Sequence, residues 1–214
     1  MNPPLKAVAM ASGGGRTVLN LLESINHGDL RDVTLDHVFV SRHNAPAVER
    51  CATAGLHVHL PHGDVDASAQ RFLLETTPDL VLLCGYLRHL HIPTNLTNRV
   101  LNIHPSLLPA FGGQGMYGQR VHAAVLEAKH TESGCTVHLV DDAYDNGPIV
   151  LQKTCPVYKH DTPETLASRV FELECNALPK AIAMAAQGRL RLIDGCIEIA
   201  PDTTSWPIAL FRRH

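Results

Sequence analysis

The chain has 214 residues, 45% hydrophobic and 18% charged, with a formal net charge of −3, which suits one large domain with a full core and ordinary globular chemistry. No basic run offers the footprint of a nucleic-acid binder, and no apolar stretch approaches the roughly 20 residues of a membrane-spanning helix. No charged-then-apolar leader opens the chain, and the six cysteines lie scattered without a C-x-x-C, so a cytoplasmic protein with reduced thiols and no nucleic-acid or membrane partner is expected.

In chain order, residues 6–10 predict a strand and residues 18–25 a helix with Val18, Leu21, Leu22 and Ile25 on one stripe. Residues 37–40 predict a second strand, residues 45–54 a helix stopped by Gly55, and residues 56–60 a third, weaker strand. A helix over 67–76 ends before Pro78, and the apolar run 80–83 reads as a strand buried on both faces. A strand over 100–103 is stopped by Pro105, which fixes φ and has no N–H to give. This alternation predicts an α/β fold: one domain with a mostly parallel twisted sheet and helices on both faces.

The second half reads differently. A short helix at 119–128 precedes two strands, 135–140 and 149–157, joined by the Asp-rich connection 141–148. A long helix covers 162–187, with Asp161 or Thr162 as its cap, Pro163 in its first turn and Gly188 at its end. Residues 189–193 and 196–199 predict a hairpin around Asp194-Gly195. Residues 201–214 have no clear period, and Arg212-Arg213-His214 reads as a solvated tail.

Chemistry concentrates at three places. The turn Ser12-Gly13-Gly14-Gly15-Arg16-Thr17 joins a strand to a helix, where glycines let backbone N–H groups approach an anion. A dinucleotide fingerprint fails there: Val18 stands at the third glycine position, and Ser41-Arg42 replace the acidic residue after the second strand. A monophosphate is the preferred ligand; an NADP site using Arg42 and a turn without ligand remain alternatives. Second, Asn102 and His104 stand two apart at the end of a strand, so both project from one face at the edge where open α/β sheets bind ligands. Third, Asp145 lies before Asn146-Gly147-Pro148. An amide, an imidazole and a carboxylate are the parts needed to stabilise an oxyanion and move a proton, the carboxylate raising and aiming the imidazole. Among the 14 histidines, His57-x-His59 and His89-x-His91 place imidazoles in pairs, but without the accompanying carboxylates or cysteines of a metal site.

Taken together, the glycine turn, Cys84-Gly85-Tyr86-Leu87-Arg88-His89-Leu90, Asn102-Ile103-His104-Pro105-Ser106-Leu107-Leu108-Pro109, Gly134-Cys135-Thr136-Val137-His138-Leu139-Val140 and Asp145-Asn146-Gly147-Pro148-Ile149 resemble the phosphoribosylglycinamide formyltransferase family, in that family's order and over most of the chain. The resemblance implies a Rossmann-like formyltransferase fold with a phosphate-binding half, 1–100, and a catalytic and folate-binding half, 101–214. It implies that Asn102, His104 and Asp145 are catalytic, that Gly15, Arg16 and Thr17 hold a substrate phosphate, and that Glu174 binds ribose hydroxyls. Leu87, Arg88, His89, Leu90, Asn102, Val140 and Asp141 would line a folate pocket, largely through backbone groups. The implied reaction takes a formyl group from 10-formyltetrahydrofolate, as co-substrate, to glycinamide ribonucleotide in purine synthesis, without a metal, in a monomer or homodimer. Transfer to another amine such as that of a sugar nucleotide, hydrolysis of the formyl-folate, and nucleotide binding without catalysis are the competing readings. Methionyl-tRNA formyltransferases carry an extra C-terminal domain and formyltetrahydrofolate hydrolases an extra N-terminal one, which 214 residues do not accommodate. Two departures stand out: the glycine-rich loop 111–118, and Phe171 where some members have a polar or basic residue near the phosphate.

Overall fold

The computed structural model describes residues 3–202 and 210–211, so the sequence reading of residues 203–209 and of Arg212-Arg213-His214 falls outside the described residues. Five strands, β1 (Leu5–Ala11), β2 (Val33–Val40), β3 (His57–His59), β4 (Leu80–Leu83) and β5 (Val100–His104), run parallel; β6 (Glu132–Leu139) pairs antiparallel with β5, and β7 (Ile149–Pro156) pairs antiparallel with β6 and so runs in the direction of the first five. The seven-stranded order is β3-β2-β1-β4-β5-β6-β7. β1 lies inside the sheet between β2 and β4, and its period-two alternation divides the core. Ala7, Ala9 and Ala11 face the larger cluster, with Val18 and Leu21 of α1 (Arg16–Asn26), Cys51 of α2 (Ala47–Thr53) and Val125 of α4 (Gln119–Glu127). Leu166, Val170 and Leu178 of α5 (Pro163–Ala186) complete that face. Val8 and Met10 face the smaller cluster, with Phe72 and Leu73 of α3 (Val65–Thr76). Sheet polarity and helices on both faces therefore agree with the sequence reading, and all four residues of β4 are buried.

Most differences lie at element ends. β2 begins at Val33 rather than His37, because the register jumps from Ala7↔Leu35 to Val8↔His37 and leaves Asp36 as an extra residue. Such a bulge breaks the alternation by which a strand is read. α1 begins at Arg16, not Val18, which puts Arg16 and Thr17 in its first turn. Of the two caps proposed for α5, Thr162 accepts from the Thr165 N–H and forms a capping box, whereas Asp161 pairs with Arg169 at 2.7 Å. The last hairpin, β8 (Leu190–Ile193) with β9 (Cys196–Ile199), turns through Asp194 and Gly195, both with positive φ (48° and 78°), as a two-residue primed turn requires.

Gly147 has a structural requirement of a different kind. A Cβ there would lie 1.9 Å from the Leu139 carbonyl oxygen, a backbone atom that cannot swing aside. Gly147→Ala is expected to cost about 3 kcal/mol, the upper end of overpacking penalties, measured as a lowered denaturation midpoint. Because the shift falls in the segment carrying Asp145, activity is expected to fall with stability.

Candidate active site

A cavity of about 660 Å³ opens at the carboxyl ends of β1, β4 and β5, lined by the glycine turn, Asn102, His104, Asp145, part of the loop 113–118 and Glu174 of α5. Three chain segments meet there for local reasons. Gly15 caps α1 with φ 73°, a left-handed conformation that costs glycine little, and a Cβ on it would press on Ala47 at 3.0 Å. The turn is pinned by the Ala47 N–H donating to the Gly13 carbonyl (3.1 Å) and by Arg50 donating to the Gly14 carbonyl (3.0 Å). The first backbone N–H groups of α1 have no acceptor within the helix, so they and the helix dipole are available to an anion.

Asn102 and His104 share one face of β5, as the spacing predicts, and Asp145 reaches them from the 140–148 connection. Its carboxylate lies 3.4 Å from His104 Nδ1, accepts from Asn102 Nδ2 at 3.3 Å and from the Gly113 N–H at 3.0 Å. Asp145 itself has φ 54°, a conformation aspartate tolerates better than most residues. Gly112 packs against it so closely that a Cβ would stand 3.2 Å from the Asp145 Cβ and 2.5 Å from Leu108.

A fourth member, His138, was given no role by the sequence. It stands directly across from Asn102 in the β5–β6 register. Its Nδ1 donates to the Leu139 carbonyl at 2.7 Å, which leaves Nε2 as the acceptor for Asn102 Nδ2 at 3.1 Å. Both amide hydrogens of Asn102 are thus directed at protein acceptors, His138 and Asp145. Only the strand register reveals this partner, and no spacing in the sequence encodes that register.

The electrostatics correct one expectation. The sequence reading has Asp145 raising the pKa of His104, but His104 is 3% exposed and its pKa lies below the ordinary histidine value. Desolvation is the larger cause; Asp145 and the Phe111 carbonyl, which accepts from Nε2 at 2.8 Å, oppose it without overcoming it. Both ring nitrogens nonetheless face oxygen acceptors, so the imidazolium, once formed, is fully partnered. Asp145 is held below the ordinary carboxylate value: burial pushes it up, but the adjoining His138 ring at 3.6 Å, His104 and the Gly113 N–H prevail. Glu174 is pushed up to about 7 by desolvation, against the pull of Arg16.

His122 on α4 also lines the cavity, and its buried Nδ1 has no hydrogen-bond partner among the described residues. Burial, with a smaller contribution from His104, lowers its pKa to about 4. The unfolded chain then binds a proton that the folded one refuses between pH 6.5 and about 4. Stability from this group is fully present above pH 6.5 and is lost as pH falls through that window. At about 1.4 kcal/mol per pH unit the loss approaches about 3 kcal/mol. Denaturant midpoints measured across this range are expected to fall toward acid in the native chain and to fall less in His122→Gln.

The remaining predicted site residues divide. Arg16, Thr17, Glu174 and Leu87 line the cavity. Arg88 instead turns outward to a two-point pair with Asp66 at 2.9 and 3.1 Å. His89 Nε2 bonds the Asp142 carbonyl at 3.0 Å, and Leu90 is buried in the smaller core. Val140 packs against that core and donates its N–H to the Val100 carbonyl at 2.9 Å, while the Asp141 carboxylate accepts from the Ala143 N–H at 3.0 Å. These five side chains are absorbed by structure. The histidine pairs hold other contacts: His59 Nε2 meets His37 Nδ1 at 3.0 Å, and the His89 and His91 rings touch at 5.1 Å. Among the described residues no group of three or more His, Cys, Asp or Glu side chains is placed to hold a metal ion.

The geometry can be set beside known proteins. Residues 5–182 match the family described as formyl transferase. The chain is 30% identical to the phosphoribosylglycinamide formyltransferase of Escherichia coli K12 over 197 residues, 88% of this chain and 90% of that protein. It is 35% identical to the trifunctional purine biosynthetic protein adenosine-3 of Drosophila pseudoobscura over 94% of its own length, but spans only 15% of that protein. The solved glycinamide ribonucleotide transformylase 1 of Symbiobacterium toebii superposes with a TM-score of 0.85 at 33% identity, covering 92% of this chain and 95% of that one.

Proposed function

The chain belongs to the formyl transferase family, and on that premise we propose that it transfers the formyl group of 10-formyltetrahydrofolate to the amine of glycinamide ribonucleotide, giving formylglycinamide ribonucleotide and tetrahydrofolate. The single observation that carries this reading is the convergence of Asn102, His104 and Asp145 with the anion-ready turn at Gly15 in one cavity. A phosphorylated amine anchored at α1 reaches the trio without leaving that cavity.

The amine attacks the formyl carbon, and a tetrahedral intermediate forms with negative charge on the former carbonyl oxygen. Asn102 donates to that oxygen by releasing one of its two present acceptors; a preorganised donor of this type is worth roughly 3–4 kcal/mol. His104, whose burial disfavours the charged form, takes the proton that the attacking nitrogen sheds. The imidazolium is then stabilised by Asp145 at 3.4 Å and returns the proton to the folate nitrogen as the C–N bond breaks. The Phe111 carbonyl holds His104 Nε2 in the free protein. With the ring proton moved to Nδ1, where Asp145 accepts it, release of Nε2 from the Phe111 carbonyl leaves a lone pair on Nε2 for this traffic. Glu174, near 7, accepts hydrogen bonds from the ribose hydroxyls best when ionised. Folate contacts come mainly from the backbone around residues 87–90 and 140–145. The catalyst works as a monomer or homodimer in the cytoplasm, with no metal.

Absorbance of the folate, followed with and without glycinamide ribonucleotide, tests the reading. Turnover that requires the ribonucleotide supports it; equal turnover without acceptor means hydrolysis.

A further inference from the structure

The glycine-rich loop leads directly into α4, whose second residue is Arg120. Arg120 lines the same cavity as Arg16, yet nothing in the sequence marked it. Each guanidinium lies over an aromatic ring: Arg16 over Phe171 at 4.1 Å and Arg120 over Tyr117 at 4.9 Å from the centroid. Neither has a carboxylate within 4.0 Å among the described residues, whereas Arg88, Arg169, Arg189 and Arg191 all do. A guanidinium stacked on a ring keeps its N–H edge open for the planar, two-point recognition of a phosphate. Two such cations face one cavity, whose lining also includes Glu174, on a chain of net charge −3.

The arrangement of the helices makes the two arginines complementary. α5 packs against both α1 and α4. Ala167 and Phe171, one turn apart on α5, both face the cavity. Phe171 offers no charge to a phosphate, but supports Arg16 from α1; Ala167 is small and uncharged. We propose that Arg120 is a second phosphate-binding residue, supplying from α4 the positive charge that α5 lacks at Phe171 and thereby setting preference for a phosphorylated acceptor. This rests on the acceptor assignment above.

The experiment compares the native chain with Arg120→Met, which keeps the stem and removes the charge, and with Arg120→Lys. Ribose 5-phosphate binding is measured by calorimetry, independently of formyl transfer, together with KM for glycinamide ribonucleotide, for its dephosphorylated riboside and for the folate. Loss of a charged hydrogen-bonding partner is expected to weaken ribose 5-phosphate roughly 10–100-fold in Arg120→Met. KM for the ribonucleotide rises by a similar factor, while kcat, the riboside and the folate KM stay unchanged, and Arg120→Lys recovers part of the loss. Equal losses for ribonucleotide and riboside would overturn the proposal, as would a change confined to the folate KM, which would assign Arg120 to the folate carboxylates. If formyl transfer itself is absent while ribose 5-phosphate binding still falls in Arg120→Met, the acceptor assignment fails and the phosphate site stands.

Discussion

His104→Ala is expected to lower kcat by roughly 10²–10⁴-fold, the range for removing a positioned acid–base group, with KM for both substrates within a few-fold of the native values. His104 is the imidazole of the trio, with a carboxylate on one nitrogen, at 3.4 Å, and the Phe111 carbonyl on the other, at 2.8 Å. Among the described residues its polar partners are Phe111 and Asp145, not the glycine turn or Glu174, so substrate anchoring survives its removal. The alanine also leaves a void where a buried ring stood, so thermal unfolding has to be followed in parallel. A folded His104→Ala protein with near-native kcat would remove the histidine from the mechanism.

Asp145→Asn is expected to reduce kcat roughly 10²–10³-fold, by a different route. Asparagine accepts the same left-handed backbone, and its carbonyl can still receive the Gly113 N–H. What disappears is the negative charge that opposes the desolvation of His104. Without it the imidazole pKa falls further, so the limb of the pH–rate profile that reports His104 moves to lower pH. A merely structural role for Asp145 would leave that limb in place. The amide also presents N–H groups toward Asn102 Nδ2, now donor against donor, so Asn102 loses the contact that holds it at 3.3 Å.

How much of this was legible beforehand depends on the range of the interaction. Local signals carried well: the β–α alternation, the four buried residues of β4, the cap and proline that open α5, and the Asp194-Gly195 turn. The Asn102-x-His104 spacing placed two groups on one face because strand periodicity is a local property. What escaped depends on pairing and burial. β2 was cut short because the bulge at Asp36 interrupts the alternation. His138 acquires its role from lying opposite Asn102, and Arg120 from a cavity wall assembled from distant elements. The protonation of His104 was misjudged for a similar reason: its carboxylate neighbour is visible as a motif, whereas the desolvation that outweighs it comes from everything packed around the ring. Arg88 looked like part of a ligand wall until its pair with Asp66 turned it outward.

The central claim, that one cavity joins a phosphate-anchored amine to a formyl donor, is tested most directly by following the carbon itself. The protein is incubated with folate carrying a 13C-labelled formyl group and with glycinamide ribonucleotide, and the products are read by carbon NMR. The account predicts that the label appears in the amide of formylglycinamide ribonucleotide, in step with the release of tetrahydrofolate. Label appearing as free formate, or remaining on the folate while both substrates bind, would contradict it.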